Sequence, residues 1–331
     1  MKKILIFTVV LVMVVVIMIP ALMVSSIIHK NQFSSDTSGL RFQGEDVSIR
    51  VYMHEQNKIV EMNLEDYIVG VVAAEMPAEF ELEALKSQAV AARTYAVKSM
   101  YRFGGSGVST QPNADVSTDY HESQAWLSQD QLRERWGTHY ESYWAKINRA
   151  VRETRGQVVT YNGAFINAVF HSTSGERTAS AKEVWGFDYP YLQSVPSKVD
   201  PKSPRYHERK EFSLSEIEKR LGPETQVVSA VQNGSGAIQV IEATESGRIG
   251  QIRIGSKTLS GTAIREKLEL RSADFTMEIK DGKMVITTTG YGHGVGLCQY
   301  GANSMAKEGS DYRQIITTYY TGVAINNIIG S

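Results

Sequence analysis

One acidic residue stands where its surroundings would change its chemistry. Glu75 follows Val71-Val72-Ala73-Ala74 and precedes Met76-Pro77. Apolar surroundings disfavour the charged form of a carboxyl group, so its pKa rises and it can hold a proton near neutral pH. A general acid for a glycosidic bond needs that property. The proline would set the side chain at a helix end, facing a cleft. A partly exposed glutamate paired with Lys86 or Arg93 is the competing reading.

Other candidates lie further along the chain. Arg93 sits among Ala91, Ala92 and Ala96, so it must snorkel outwards, pair with an acid or point into a site. His171 ends an apolar run and leads into the polar stretch Ser172-Thr173-Ser174-Gly175-Glu176, either a ligand loop or an ordinary turn. The run Gly292-His293-Gly294-Val295-Gly296-Leu297-Cys298-Gln299-Tyr300-Gly301 carries four glycines, which permit close backbone approach to a ligand. It matches neither a dinucleotide fingerprint nor a phosphate loop. Cys298 and His293 could form a thiol nucleophile and its base; a small buried cysteine is the alternative. The seven histidines show no metal-ligand spacing.

These residues need elements to position them. Alternation from Val47 to Met53 predicts a strand, and Leu64 to Glu75 reads as a helix stopped by Pro77. Leu82, Leu85, Ala89, Ala92, Ala96 and Met100 repeat at helical spacing, closed by Gly104 and Gly105. Residues 128–155 read as one more helix, capped at Gly156. Asn162-Gly163 between apolar runs predicts a hairpin joining 157–161 to 164–171. Residues 211–285 form a second α/β stretch, with helices near 213–221 and 262–269 and a hairpin at Asp281-Gly282. Two short helices near 299–308 and 311–320 close the chain.

The 331 residues carry one cysteine and a net charge of -1. One cysteine excludes an internal disulfide, and the near-neutral charge argues against a nucleic-acid partner. Lys2 and Lys3 precede an apolar run from Ile4 to Val24, broken only by Thr8 and Pro20. As a helix this run is about 31 Å long, enough to cross a bilayer core. That length favours an uncleaved anchor over a removed signal peptide, with the lysines cytoplasmic and the body outside. The expected organisation is 1–3 cytoplasmic, 4–28 transmembrane anchor and 29–45 polar tether. The body then divides into 46–210 as the main α+β part, 211–285 as a second lobe or insertion, and 286–331 returning to the main part.

Three stretches resemble the stage II sporulation protein D family. They are Glu65-Asp66-Tyr67 running on to Ala73-Ala74-Glu75-Met76-Pro77, then Glu83 to Tyr95, and Gly292 to Gly296 with Gln299-Tyr300-Gly301. His171 to Gly175, Val184-Trp185-Gly186 and Tyr191 to Val195 match as well. The resemblance spans about residues 45–325. It implies a membrane-anchored α+β body of two lobes around a glycan-binding cleft. The implied activity is that of a lytic transglycosylase, which cleaves the MurNAc-β-1,4-GlcNAc bond of peptide-stripped strands and leaves 1,6-anhydro ends. The setting is the mother-cell membrane during forespore engulfment, with stage II sporulation proteins P and M as partners. Glu75 becomes the catalytic acid, and Lys86, Arg93, His171, Ser172, Tyr191, His293, Gln299 and Tyr300 the substrate-binding residues. Some relatives hold a metal through a cysteine pair, but this chain has His121 and no cysteine in that segment, so no cofactor or metal is expected. Relatives that enhance amidases supply the alternative, a non-catalytic glycan-binding enhancer.

Overall fold

The computed structural model describes residues 42–43, 46–234 and 236–330. The expected anchor, and all but two residues of the expected tether, lie outside the described residues. Among the described residues no helix is long and apolar enough to cross a membrane. The architecture is α+β, with helices packed among sheets of only two or three strands.

Leu82–Ser99 is the central helix. Its alanines leave little side-chain bulk, so neighbours approach on every side, and Leu85, Ala89, Ala92 and Ala96 are completely buried. Leu64–Glu75, Tyr140–Glu153, Gln299–Lys307 and Tyr312–Tyr319 are the helices packed around it. Strand Gln157–Tyr161 covers a further side. Twelve of its 18 residues are buried, and its buried apolar residues belong to the main hydrophobic cluster. A second cluster draws its residues from Phe212 to Ile286. Two antiparallel three-stranded sheets serve it, ordered 257–260, 249–254, 238–243 and 275–280, 283–289, 207–213.

Local chemistry sets most element ends. Asn63 accepts from the Glu65 amide at 2.8 Å to open the first helix. Met76 is extended, at φ -124° and ψ 138°, because a residue before proline is pushed out of the helical region. The helix therefore stops at Glu75. Asn162 and Gly163 take φ of 49° and 80°, the left-handed pair a tight hairpin requires, and Tyr161 pairs with Ala164.

Two expectations need correction. The helix expected over 128–155 is broken: Gln129–Trp136 and Tyr140–Glu153 are separate, with Gly137 at φ 49° between them. The second arm of the hairpin is only Ala164–Phe165. Phe170–His171 pairs instead, in parallel, with Leu297–Cys298. That pairing carries the chain of His171 to the glycine-dense run.

Candidate active site

Glu75 is the last residue of its helix and is partly buried. One carboxylate oxygen accepts from the Ala125 amide at 2.9 Å. Burial pushes the Glu75 pKa up, and the Ala125 bond opposes that only in part. The competing reading fails on geometry: Lys86 bonds Glu83 and Glu153, both at 2.6 Å, and Arg93 bonds Glu65. Neither cation reaches Glu75.

The segment that brings Ala125 to Glu75 is itself fixed. Asp115 accepts from the Arg50 amide at 2.9 Å and from the Tyr101 amide at 3.1 Å. Leu127 donates its amide to the Gly70 carbonyl at 3.3 Å. Trp126 closes over Gly70, where a methyl group would lie 2.1 Å from its Nε1. Gly70→Ala should therefore cost about 1–3 kcal/mol, as overpacking does, and a shift in the urea midpoint checks it.

Tyr67, Val71 and Glu75 recur every four residues on one helix face. Tyr67 is fully buried with an unpartnered hydroxyl, and its pKa rises through burial, with Tyr95 and Glu75 adding to the effect. Tyr95 donates to the Glu122 carbonyl at 3.3 Å. Gln124 is buried with both side-chain polar atoms unpartnered. Tyr67, Tyr95, Gln124 and Trp126 are the residues that sequence reasoning missed. The eight-residue spacing from Tyr67 to Glu75, two steps of four, was the available signal.

The expected binding residues fall into two groups. Lys86 and Arg93 share one face of the central helix, whereas Gln88 and Tyr95 lie roughly 200° away. Arg93 is 0% exposed. It holds Glu65 through two nitrogens, at 2.9 and 2.5 Å, and donates to the carbonyls of Gln157 and Val151. Its expected place in the cleft is corrected: the guanidinium is an internal clamp. Lys86 is similarly committed to its two glutamates. Tyr191 is a core residue, 8% exposed, whose hydroxyl accepts from the Asn167 amide at 3.2 Å.

His171, Ser172, His293, Gln299 and Tyr300 form a connected group. The Tyr300 amide donates to the Ser172 carbonyl at 3.0 Å. Gln299 donates to Gln88 at 3.3 Å. The Tyr300 ring meets Phe80 edge-on at 4.9 Å, five residues beyond Glu75. The rings of His171 and His293 lie 5.6 Å apart. His171 Nδ1 donates to the Val295 carbonyl at 3.1 Å, and its buried Nε2 has no partner. His293 Nε2 donates to the Phe170 carbonyl at 3.0 Å, and its Nδ1 accepts from the Val295 amide at 3.1 Å. Both rings are thus held in defined neutral tautomers. Burial depresses both pKa values, that of His293 to about 4.

Cys298 is completely buried and caps the Gln299–Lys307 helix, its sulfur accepting from the Gly301 amide at 3.4 Å. A packed, capping thiol is a poor nucleophile. Native protein should leave it unreacted with a thiol reagent that titrates one thiol after unfolding.

A profile of the family described as stage II sporulation protein matches residues 52–161. Stage II sporulation protein D of Bacillus subtilis (strain 168) is 42% identical over 280 residues, covering 85% of this chain and 79% of that protein. The protein of the same name from Bacillus amyloliquefaciens is 41% identical over 280 residues, with the same coverage. The amidase enhancer of Bacillus subtilis (strain 168) is 27% identical over 306 residues, covering 78% of this chain and 40% of the enhancer.

Proposed function

The chain belongs to the stage II sporulation protein D family, and from that premise we propose that it is a peptidoglycan lytic transglycosylase. It cleaves the MurNAc-β-1,4-GlcNAc bond of peptide-stripped glycan strands during engulfment. The observation that carries this reading is Glu75: a carboxyl group at a helix end, its pKa raised by burial, with no charged group among the causes of its shift.

One carboxyl group is enough for this chemistry. Most glycosidases use two, one as acid and one as base or nucleophile. Here Glu75 donates its proton to the bridging oxygen as the bond from that oxygen to the MurNAc anomeric carbon breaks. The 6-hydroxyl of the same MurNAc attacks the anomeric carbon and forms the anhydro bridge. Its proton passes to the Glu75 carboxylate, which ends the cycle protonated as it began. No water enters the product. Polar groups around Glu75 would stabilise the positive charge that develops on the sugar.

The anchor of residues 4–28 would hold the body outside the mother-cell membrane, against the wall it cuts, with proteins P and M beside it. Similarity to the amidase enhancer supports a second reading, in which the same cleft binds glycan and speeds an amidase without cutting the strand. Mass analysis of products from peptide-free glycan separates the two. Anhydro ends, one water lighter than hydrolysed ends, appear with the native chain and vanish with Glu75→Gln if the first reading holds. Unchanged strands with both chains would overturn it.

A further inference from the structure

The sheets of the second hydrophobic cluster reach the glycine-dense run through one turn. Residues 244–248 join strand Ile238–Ala243 to strand Ile249–Ile254. The turn closes on itself: the Gly247 amide donates to the Thr244 carbonyl at 3.0 Å, and the Thr244 amide to the Arg248 carbonyl at 2.9 Å. Connecting turns ordinarily lie in water. This one is packed away, with Ser246 6% exposed and Arg248 4%. Their partners come from the main part of the body. Glu183 accepts from the Ser246 amide at 3.2 Å and from its hydroxyl at 2.7 Å. Arg248 Nη1 donates to the Arg177 carbonyl at 3.2 Å.

Arg248 spans two main-chain segments that meet there. Ala179 and Val295 form a parallel bridge, and the Ala179 amide donates to the Gly294 carbonyl at 2.7 Å. Arg248 bonds the first segment at Arg177 and covers the second at Gly294. A methyl group on Gly294 would lie 2.4, 2.8 and 2.9 Å from Nη2, Cζ and Nε of Arg248, so the guanidinium rests on bare main chain. Burial opposes its charge, and Asp274 and Glu183 favour it. A rigid planar group bonded to one segment and packed on the other limits how the two can slide.

At Val295 that constraint reaches the histidines. The Val295 carbonyl accepts from His171 Nδ1, and its amide donates to His293 Nδ1. One residue thus holds opposite tautomers: His171 carries its proton on Nδ1, and His293 carries its own on Nε2, bonded to the Phe170 carbonyl. The unpartnered Nε2 of His171 is then an acceptor, suited to a sugar hydroxyl or acetamido N–H. We propose that Arg248 is a positioning residue: it fixes the main chain at Gly294 and Val295, and through Val295 the His171 and His293 rings that meet the glycan. The inference rests on the glycan reading of the site and gives residues 211–285 a part in substrate binding.

The test uses the full chain in detergent, with isotope-labelled histidine. Nitrogen NMR at neutral pH separates a ring protonated on Nδ1 from one protonated on Nε2, and His171→Gln and His293→Gln assign the two signals. The native chain should show one tautomer at each ring, as the hydrogen bonds require. Arg248→Gln should move both patterns towards a mixture. It should also raise the KM for peptide-free strands about tenfold, the scale of one charged hydrogen bond, with kcat close to native. Ser246→Ala loosens the same turn and keeps Arg248, so it should shift both readings the same way by less, and it carries the test if Arg248→Gln does not fold. Ile217→Val, in the second cluster on helix Leu214–Leu221, should move neither. Ring signals unchanged in the Arg248 and Ser246 variants would overturn the inference while the glycan reading stands. A native KM beside altered rings would overturn it as well, and so would equal changes in Ile217→Val. Strands neither bound nor cut by the native chain would overturn the glycan reading together with the inference.

Discussion

Replacing Glu75 with glutamine should lower the rate of strand cleavage by about 10²–10⁴-fold, the usual worth of a positioned acid–base group. The amide matches the carboxyl group in shape but can neither donate the acid proton nor take one back. Binding of glycan should persist, so the loss falls on kcat and not on KM. The pH profile carries the same signature. Cleavage needs the protonated form, so activity should fall as pH rises through the pKa of Glu75. That pKa is raised above the ordinary value of 4.5 by burial. Stability follows the same sign. The folded state binds this proton more tightly than the unfolded chain does, so the contribution of Glu75 is fully present below pH 4.5 and is lost as pH rises through the raised value. Glu75→Gln should then be more stable than the native chain at neutral pH, and thermal melts across pH check this. A variant that loses activity while gaining stability marks a residue kept for function.

The largest stability effect is expected at Arg93. Its side chain is fully buried, grips Glu65 with two nitrogens and satisfies backbone carbonyls of two further elements. Removing one member of such a pair leaves a buried charge without a partner, which typically costs about 3–5 kcal/mol. Arg93→Ala should show that loss in urea unfolding. Arg93→Lys should recover little of it, because an ammonium group cannot present the planar fork. Glu65 also accepts from the Gly156 amide at 3.2 Å, so the pair ties the first helix to the start of strand Gln157–Tyr161. Loss of activity in Arg93 variants should track the unfolded fraction, and the KM of the remaining folded protein should be unchanged. A raised KM with native stability would return Arg93 to the cleft.

Local signals in the chain were read well where one residue type settles the backbone. Pro77 marked the end of the first helix, Asn162-Gly163 and Asp281-Gly282 marked turns with left-handed residues, and the helix expected near 213–221 is Leu214–Leu221. The burial of Glu75 was legible because its sequence neighbours are apolar. Arg93 was harder. Its sequence neighbours suggested a site as readily as an ion pair, and only the fold brings Glu65 and two carbonyls around it. The Ala125 amide could not be read at all, since backbone groups carry no residue signature and its partner lies fifty positions away. Gly137 was hidden in a helical pattern, because apolar periodicity continues across it. The parallel pairing of Phe170–His171 with Leu297–Cys298 is two residues long and too short to show alternation.

The bond from Ala125 to Glu75 has a consequence for how this chain can drift. The acid strength of the carboxyl group is trimmed by a main-chain amide, the one group that every residue except proline supplies. Most replacements at position 125 would leave that donor in place. Lengthening or shortening the stretch from Asp115 to Leu127 would move it, and Ala125→Pro would delete it. The proton affinity of Glu75 is therefore tied to the length and path of this segment more than to its spelling.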